Sequence, residues 1–429
     1  MNNRILQTIS EDGVDRRGFL KCMAWAGTGM LWVVSGGILK SYSLGQVIDS
    51  TTGRMKDGMQ ISKGELSFVQ ISDSHIGFNK EANPDVVGTL RTAIARINAS
   101  PHTPSFVLHT GDLTHLSKPS EFDTLHEVLK EVNTERFFFV PGEHDVLGDD
   151  GKEFLGRHGR GTQGSGWQSF DVKGVHFIGL VNVMDLKPGG MGNLGSEQIA
   201  WLKKDVAGLS DSTPIVVFAH IPLWSVYPEW GWGTDDAAQA LALLKGFGSV
   251  TVLNGHIHQT MQKIEGNITF HTATSTAFPQ PQPGTAPSPG PMKVPAERLR
   301  TLLGLTSVNY VEGRHSLGIV DTPLASNPGV EDERKPGDQK DRGAKDSDGG
   351  RVEIDNFSFM PRTLRVGPET TVTWTNHDDV PHTVVSTDKV FSSPVLDTDQ
   401  SFSFKFSGRG TYDYFCSIHP RMTGSVAVV

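Results

Sequence analysis

Leu66-Ser67-Phe68-Val69-Gln70-Ile71-Ser72-Asp73-Ser74-His75 is an apolar run rich in β-formers that ends on an acid and an imidazole two residues apart. Val, Ile and Phe suit a pleated, half-buried surface, so residues 66–71 read as a strand. Residues two apart in extended chain point the same way, which lets Asp73 and His75 converge on one point beyond its end. The pattern recurs along the chain. Gly111-Asp112 follows a predicted strand at 105–109, Gly142-Glu143-His144-Asp145 follows one at 136–140, Ala219-His220 ends one at 214–219, and Gly255-His256-Ile257-His258 follows one at 249–253. Further strands are expected at 175–183 and 267–271. Helices are expected at 84–98, 120–132, 196–208 and 235–245. The first places Val87, Leu90, Ile94 and Ile97 at helical spacing, and the third starts from Ser196 as its N-cap. This alternation predicts α/β architecture.

Carboxylates and imidazoles together suit borderline divalent metals such as Mn, Fe, Zn or Co. Glycines beside them allow tight turns and leave room for a substrate. One Asp-x-His, or one His alone, is commonplace; five such pieces in order, each at a strand end, point to a metal centre. This ordered set resembles the calcineurin-like metallophosphoesterase family. The similarity covers about residues 65–322 and includes Ser169-Phe170-Asp171, Val175-His176-Phe177 and Gln198-Ile199-Ala200-Trp201-Leu202. The resemblance implies an α/β four-layer sandwich, two mixed sheets flanked by helices, and two divalent metal ions that hydrolyse a phosphomonoester or phosphodiester. It implies that Asp73, His75 and His258 hold the first ion, that Asp112 bridges, and that Glu143, His220 and His256 hold the second. His144 would sit over the phosphate, stabilising charge or protonating the leaving oxygen, with Asp145 orienting its ring.

Two residues depart from the family pattern. Glu143 stands where the family has Asn, adding negative charge that should tighten metal binding and weaken attraction for phosphate. His115 stands where purple acid phosphatases place a Tyr ligand, so no iron–tyrosine chromophore is expected. His115 is expected to be a non-ligand, with a role as an extra ligand left open. His109 is expected to be a strand residue. His102, His126, His158, His176, His271 and His315 lie outside any motif and are expected to be structural or solvent-facing.

Residues 279–295 are rich in Pro, Gly and Ser and read as a long loop; residues 324–350 are charged and Gly/Pro-rich and read as a disordered or flexible linker. Residues 351–429 carry only short strand signals, at 352–357, 364–366, 370–375, 383–386, 401–406, 411–415 and 424–429, which suggests a small all-β sandwich. Near the end stands Tyr414-Phe415-Cys416-Ser417-Ile418-His419-Pro420-Arg421-Met422, with Pro381-His382-Thr383 upstream. One thiolate, two imidazoles and a thioether make the blue-copper donor set, with Cys416, His419 and Met422 on one loop and His382 on a neighbouring one. The spacing is similar to that of cupredoxins, amicyanin-like members above all, and the similarity extends to Val372-Thr373-Trp374-Thr375-Asn376. It implies one copper ion and either one-electron transfer with a redox partner protein or copper binding. His377 is expected to be a loop residue.

At 429 residues with a net charge of −9 and no clustered Lys or Arg, the chain has room for two domains and no basic patch for nucleic acid, which is not expected as a partner. Asp15-Arg16-Arg17-Gly18-Phe19-Leu20-Lys21, followed by an apolar stretch at 22–39, resembles the twin-arginine export motif. Residues 1–45 are therefore expected to be an export signal read by the twin-arginine translocation machinery, with a linker at 46–64, a phosphoesterase region at 65–323 and a periplasmic or extracellular product. An uncleaved membrane anchor is the alternative. The two Cys are Cys22, inside that segment, and Cys416, whose neighbours assign it to copper. The linker predicts two sites that work independently. Two non-enzymatic readings compete: a copper-binding or electron-carrier protein whose first domain is degenerate, with Glu143 as the symptom, and a docking module for an envelope partner. Retention of the remaining ligands and of His144 favours an enzyme.

Overall fold

In the computed structural model, the described residues are 30–35, 38–43, 66–101, 103–134, 136–184, 186–310, 317–325 and 350–429. The Arg16-Arg17 motif and the linker expected at 324–350, apart from its first and last residues, lie outside them. Strands β1 (Met30–Ser35) and β2 (Ile38–Ser43) pair antiparallel. Among the described residues no helix is long and apolar enough to cross a membrane.

Eleven strands follow in the next region: β3 (Leu66–Ile71), β4 (Val107–His109), β5 (Phe137–Phe139), β6 (Gln168–Val172), β7 (Val175–Gly179), β8 (Ile215–Phe218), β9 (Val250–Asn254), β10 (Gln262–Glu265), β11 (Ile268–Thr272), β12 (Gly304–Tyr310) and β13 (Gly318–Pro323). They form two mixed sheets, ordered β13-β12-β3-β4-β5 and β10-β11-β9-β8-β7-β6. The period-2 pattern of β3 shows how the layers arise. Leu66 and Phe68 enter the core between the sheets, with Phe106, Phe177, Val216 and Leu253. Val69 and Ile71 face the other way, against helices Val86–Asn98 and Pro119–Leu129. The second sheet is covered by helices Ser196–Val206 and Ala237–Leu244. The four-layer sandwich is therefore present.

Several elements differ from the sequence expectation. Strands β6, β10, β12 and β13 and helices Lys152–His158 and Ala296–Leu302 were not expected. β10 is polar and mostly exposed, so it lacks the apolar alternation that marks a strand. Ser196 is not an N-cap: Gly195 holds that position with φ +80°, and Asp236 accepts hydrogen bonds from the amides of Leu194 and Gly195. A carboxylate at the start of the neighbouring helix thus holds the chain just ahead of this one, and no side chain caps the helix itself. Residues 279–295 hold no helix or strand, as expected.

The C-terminal region is a sandwich of two four-stranded sheets. One runs β15 (Phe359–Met360), β14 (Arg351–Ile354), β17 (Thr370–Asn376) and β19 (Ser401–Phe406); the other runs β16 (Thr363–Val366), β21 (Thr423–Val428), β20 (Gly410–Phe415) and β18 (Val385–Ser386). Trp374, fully buried, anchors its core with Phe391, Phe406 and Tyr414. Strand β20 runs into the Cys416 loop and β21 leaves it, so the hairpin presents that loop at one end of the sandwich.

Candidate metal centres

The first five motifs converge where β3, β4, β5, β8 and β9 end. Asp112 Oδ2 stands 3.5 Å from His75 Nε2 and 3.4 Å from His220 Nε2. On one side of it, His258 Nε2 is 3.3 Å from Asp73 Oδ1 and 3.3 Å from His75 Nε2. On the other, Glu143 meets His220 Nε2 at 3.0 Å and His256 Nδ1 at 2.9 Å. The seven side chains thus fall into two clusters, Asp73/His75/His258 and Glu143/His220/His256, with Asp112 between them. All but His256 are buried.

The backbone is bent to achieve this. Asp73, His75, Asp112, His256 and His258 all take positive φ, from 41° to 69°. For non-glycine residues that conformation costs on the order of 1–3 kcal/mol each and clusters at functional sites. Glycine is required at two places beside them. A Cβ on Gly111, at φ +95°, would collide with the His220 ring, and one on Gly255 would collide with Ser72 Oγ.

The donors fit divalent ions. His220 Nδ1 bonds the Thr110 carbonyl at 2.7 Å and His258 Nδ1 bonds the Phe278 carbonyl at 2.6 Å, which turns each Nε2 toward the centre. Glu143 Oε2 and His220 Nε2 are buried with no hydrogen-bond partner, because their 3.0 Å approach lacks hydrogen-bond geometry. Buried polar atoms without partners are costly, and a cation satisfies both. Burial, with His144 and His258 alongside, holds the His75 imidazole far below its usual range, in the neutral, ligating form. Burial works to raise the Glu143 carboxyl, but His256 and His220 outweigh it and keep it ionised.

His144 lies beside this centre. Its backbone N–H donates to Asp112 Oδ1 at 3.0 Å, and its Nδ1 bonds the His115 carbonyl at 2.8 Å, leaving Nε2 toward the site. Asp145 does not orient that ring as expected. Its carboxylate accepts from the amides of Gly142, Leu113 and Thr114 and from Thr114 Oγ1, at 2.8–3.0 Å, and so ties the loop after β4 to the loop after β5. The ring is oriented instead by His115, whose imidazole stacks on it at 5.2 Å and 19°. Both His115 ring nitrogens are buried without a hydrogen-bond partner, and one lies within 4.8 Å of donor atoms of His75 and His144. Its place in the sequence, three residues after Asp112, hinted at this, but the direction of its ring did not. His109 is a β4 residue bonded to Ser74 Oγ, His176 pairs with Asp171 and Asp205, His271 pairs with Asp321, and His158 packs on Phe139. His102 and His315 lie outside the described residues.

The second cluster is built at the β20–β21 loop. Cys416 Sγ stands 3.6 Å from His382 Nδ1 and 3.9 Å from His419 Nδ1, and the two imidazole nitrogens are 3.2 Å apart. The amides of Thr383 and His419 both donate to Sγ at 3.4 Å. Burial works to raise the Cys416 thiol, but His382 and His419 hold it well below its usual range, as the thiolate a copper ion requires. Met422 is buried on the same loop, its N–H bonded to the His419 carbonyl. Asp378, which sequence reading passed over, bonds His382 Nε2 at 2.8 Å and leaves Nδ1 for the metal. His377 is exposed and paired with Glu353, outside the cluster.

The two clusters are neighbours, although the linker gave no reason to expect contact between the domains. The His419 ring centroid is 6.3 Å from that of His144, and donor atoms of Glu143, His144 and His419 lie within 4.8 Å of one another. Arg421 fastens the loop, its Nε donating to the Pro228 carbonyl at 2.6 Å and its Nη1 to the Gly189 carbonyl. The Gly189 amide donates to the Pro420 carbonyl, and Leu147 packs against the C-terminal core. None of these contacts has a local sequence signature.

Residues 66–260 match the family model for calcineurin-like phosphoesterases, and residues 349–429 that for copper-binding proteins of the plastocyanin/azurin family. The chain is 38% identical to amicyanin-alpha of Methylorubrum extorquens over 82 residues, 18% of this chain and 69% of that protein. It is 27% identical to a probable cyclic nucleotide phosphodiesterase of Synechococcus sp. over 222 residues, 51% of this chain and 83% of that protein. A solved purple cupredoxin from Nitrosopumilus maritimus is 36% identical, covers 19% of this chain and 100% of its own, and superposes with a TM-score of 0.19.

Proposed function

We propose, because residues 66–260 match the model for calcineurin-like phosphoesterases and the chain belongs over residues 349–429 to the plastocyanin/azurin copper-binding family, that it is an exported phosphoesterase with a built-in copper domain. The observation that carries the reading is Asp112 Oδ2, almost equidistant from His75 and His220 and so placed to bridge two ions. In this reading Asp73, His75 and His258 hold one ion, Glu143, His220 and His256 hold the other, and Asp112 serves both. When bound, a pair of Mn, Fe, Zn or Co ions supplies charge neutralisation and an acidified water. In the same reading His144 Nε2 would protonate the leaving oxygen, its Nδ1 hydrogen bond to the His115 carbonyl leaving Nε2 free to take up and return a proton. The similarity to a probable cyclic nucleotide phosphodiesterase makes a phosphodiester the first substrate class to test.

His382, Cys416, His419 and Met422 would hold a single copper ion for one-electron exchange with a partner protein or for copper binding. The Arg16-Arg17 motif and the copper domain together support a location outside the cytoplasm. The test combines metal analysis of the purified protein with hydrolysis of bis(p-nitrophenyl) phosphate and a cyclic nucleotide. Asp112→Ala is expected to lose both ions and all turnover. Hydrolysis that survives complete chelation would reject the reading.

A further inference from the structure

The boundary between the two domains encloses a cleft of about 230 Å³. Glu143 and His256 of the dinuclear cluster line it from one side, together with Trp230. Phe357, His419 and Arg421 line it from the copper domain. Its volume lies just below the range of about 300–1,000 Å³ usual for small-molecule sites. Its size, with Trp230 and Phe357 among the lining residues, suits a compact phosphoester with an apolar face.

Phe357 is held here under strain. Asn356 and Phe357 take φ of 55° and 54°, a conformation that is a true outlier for a bulky residue. Asp378 holds it in place: its carboxylate accepts from the Asn356 amide at 2.5 Å and the Phe357 amide at 2.8 Å, and it also binds His382 Nε2. Ser288 Oγ donates to Asn356 Oδ1 at 2.5 Å, tying this turn to the long loop of the phosphoesterase domain. The Phe357 ring meets His382 and His419 nearly edge-on, at 5.3 and 4.7 Å. Backbone strain maintained by three separate contacts is a device for aiming a side chain.

We propose that the phosphoester site is a composite of both domains, with Phe357 of the copper domain forming the wall against which the organic group of a compact phosphoester packs. This rests on the phosphoesterase reading. Phosphate binds over Glu143 and His256, and the ester group extends between Trp230 and Phe357. Because Phe357 touches both copper-binding imidazoles, an occupied cleft is also felt at the copper.

The experiment uses the full chain loaded with copper and with the dinuclear-site metals. The probes are bis(p-nitrophenyl) phosphate as substrate and inorganic phosphate as inhibitor. Phe357→Ala is expected to raise KM about five- to tenfold, the worth of an aromatic contact, with kcat nearly unchanged and inhibition by inorganic phosphate unaltered. Phe357→Tyr should restore KM, and the aryl phosphoester should shift the copper absorption of the wild type. If Phe357→Ala loses the copper colour through misfolding, Phe357→Leu takes its place, with a smaller rise in KM. Wild-type hydrolysis with an unchanged KM in the variants and a silent copper band would overturn the composite pocket and leave the phosphoesterase reading standing. A metal-loaded wild type that neither hydrolyses the diester nor binds inorganic phosphate would overturn both.

Discussion

His144 of the phosphoesterase domain and His419 of the copper domain face one another with ring centroids 6.3 Å apart and planes at 64°. In the proposed function one imidazole would stand beside a phosphoryl group and the other beside copper. The two candidate sites therefore meet at the boundary between the domains.

Glu143→Asn tests the unusual carboxylate. Glu143 Oε1 and Oε2 reach His256 and His220, so the carboxylate points into the cluster. Asn still offers one oxygen, so two ions should bind, the second more weakly. Removing a negative charge beside an anionic substrate should lower KM. Unchanged metal affinity, measured by competition with a chelator, together with unchanged kinetics, would show that Glu143 does not ligate.

Cys416→Ser separates the copper site from the hydrolytic one. The copper-loaded wild type should be intensely blue and the variant colourless, since a hydroxyl is a poor substitute for a soft thiolate. The Thr383 and His419 amides that now bond Sγ can bond a hydroxyl, so the loop should keep its shape. Hydrolysis should persist, because every proposed ligand of the dinuclear site precedes residue 259. A folded variant that loses hydrolysis would point to redox control.

Arg421→Ala removes the clamp on the Pro228 and Gly189 carbonyls. Each hydrogen bond to a charged donor is worth roughly 1.5–3 kcal/mol when shielded and less at an exposed position such as this one. The copper colour should survive, because the Arg421 side chain bonds the Pro228 and Gly189 carbonyls and no proposed copper ligand. The docked fraction should fall, which small-angle scattering reads as a larger radius of gyration. An unchanged profile would mean that other contacts hold the boundary alone.

His176 supplies a pH dependence remote from both metal sites. Burial works to lower its imidazole, but hydrogen bonds and charge from Asp205 and Asp171 outweigh it and raise it above the usual 6.5. A base raised in the folded state contributes stability that is complete below its unfolded value and is lost as pH rises through the folded one. His176→Gln should therefore cost on the order of 1 kcal/mol at pH 6 and much less at pH 9, measured by urea unfolding. An equal cost at both pH values would show that the pair is not ionised.

Which residues gather at each centre was legible in the sequence because they come in short local sets. Asp73 and His75, or Cys416, His419 and Met422, stand within a few residues of one another, although Asp73 and His75 converge through positive φ and not through extended chain. The β/α alternation was legible for the same reason, since Leu66, Phe68, Val69 and Ile71 encode two buried faces in six residues. What the tertiary structure alone decided concerns residues far apart in the chain. Asp145 binds Leu113 and Thr114 instead of its neighbour His144, and the His115 carbonyl takes the place expected of it. Strand β10, polar and exposed, exists because β11 offers it an edge to pair with. Arg421 finds the carbonyls of Pro228 and Gly189, and His419 meets His144, only where the two domains pack. A backbone carbonyl carries no side-chain identity, and the direction of an imidazole depends on what surrounds it, so neither leaves a mark that spacing or periodicity can reveal.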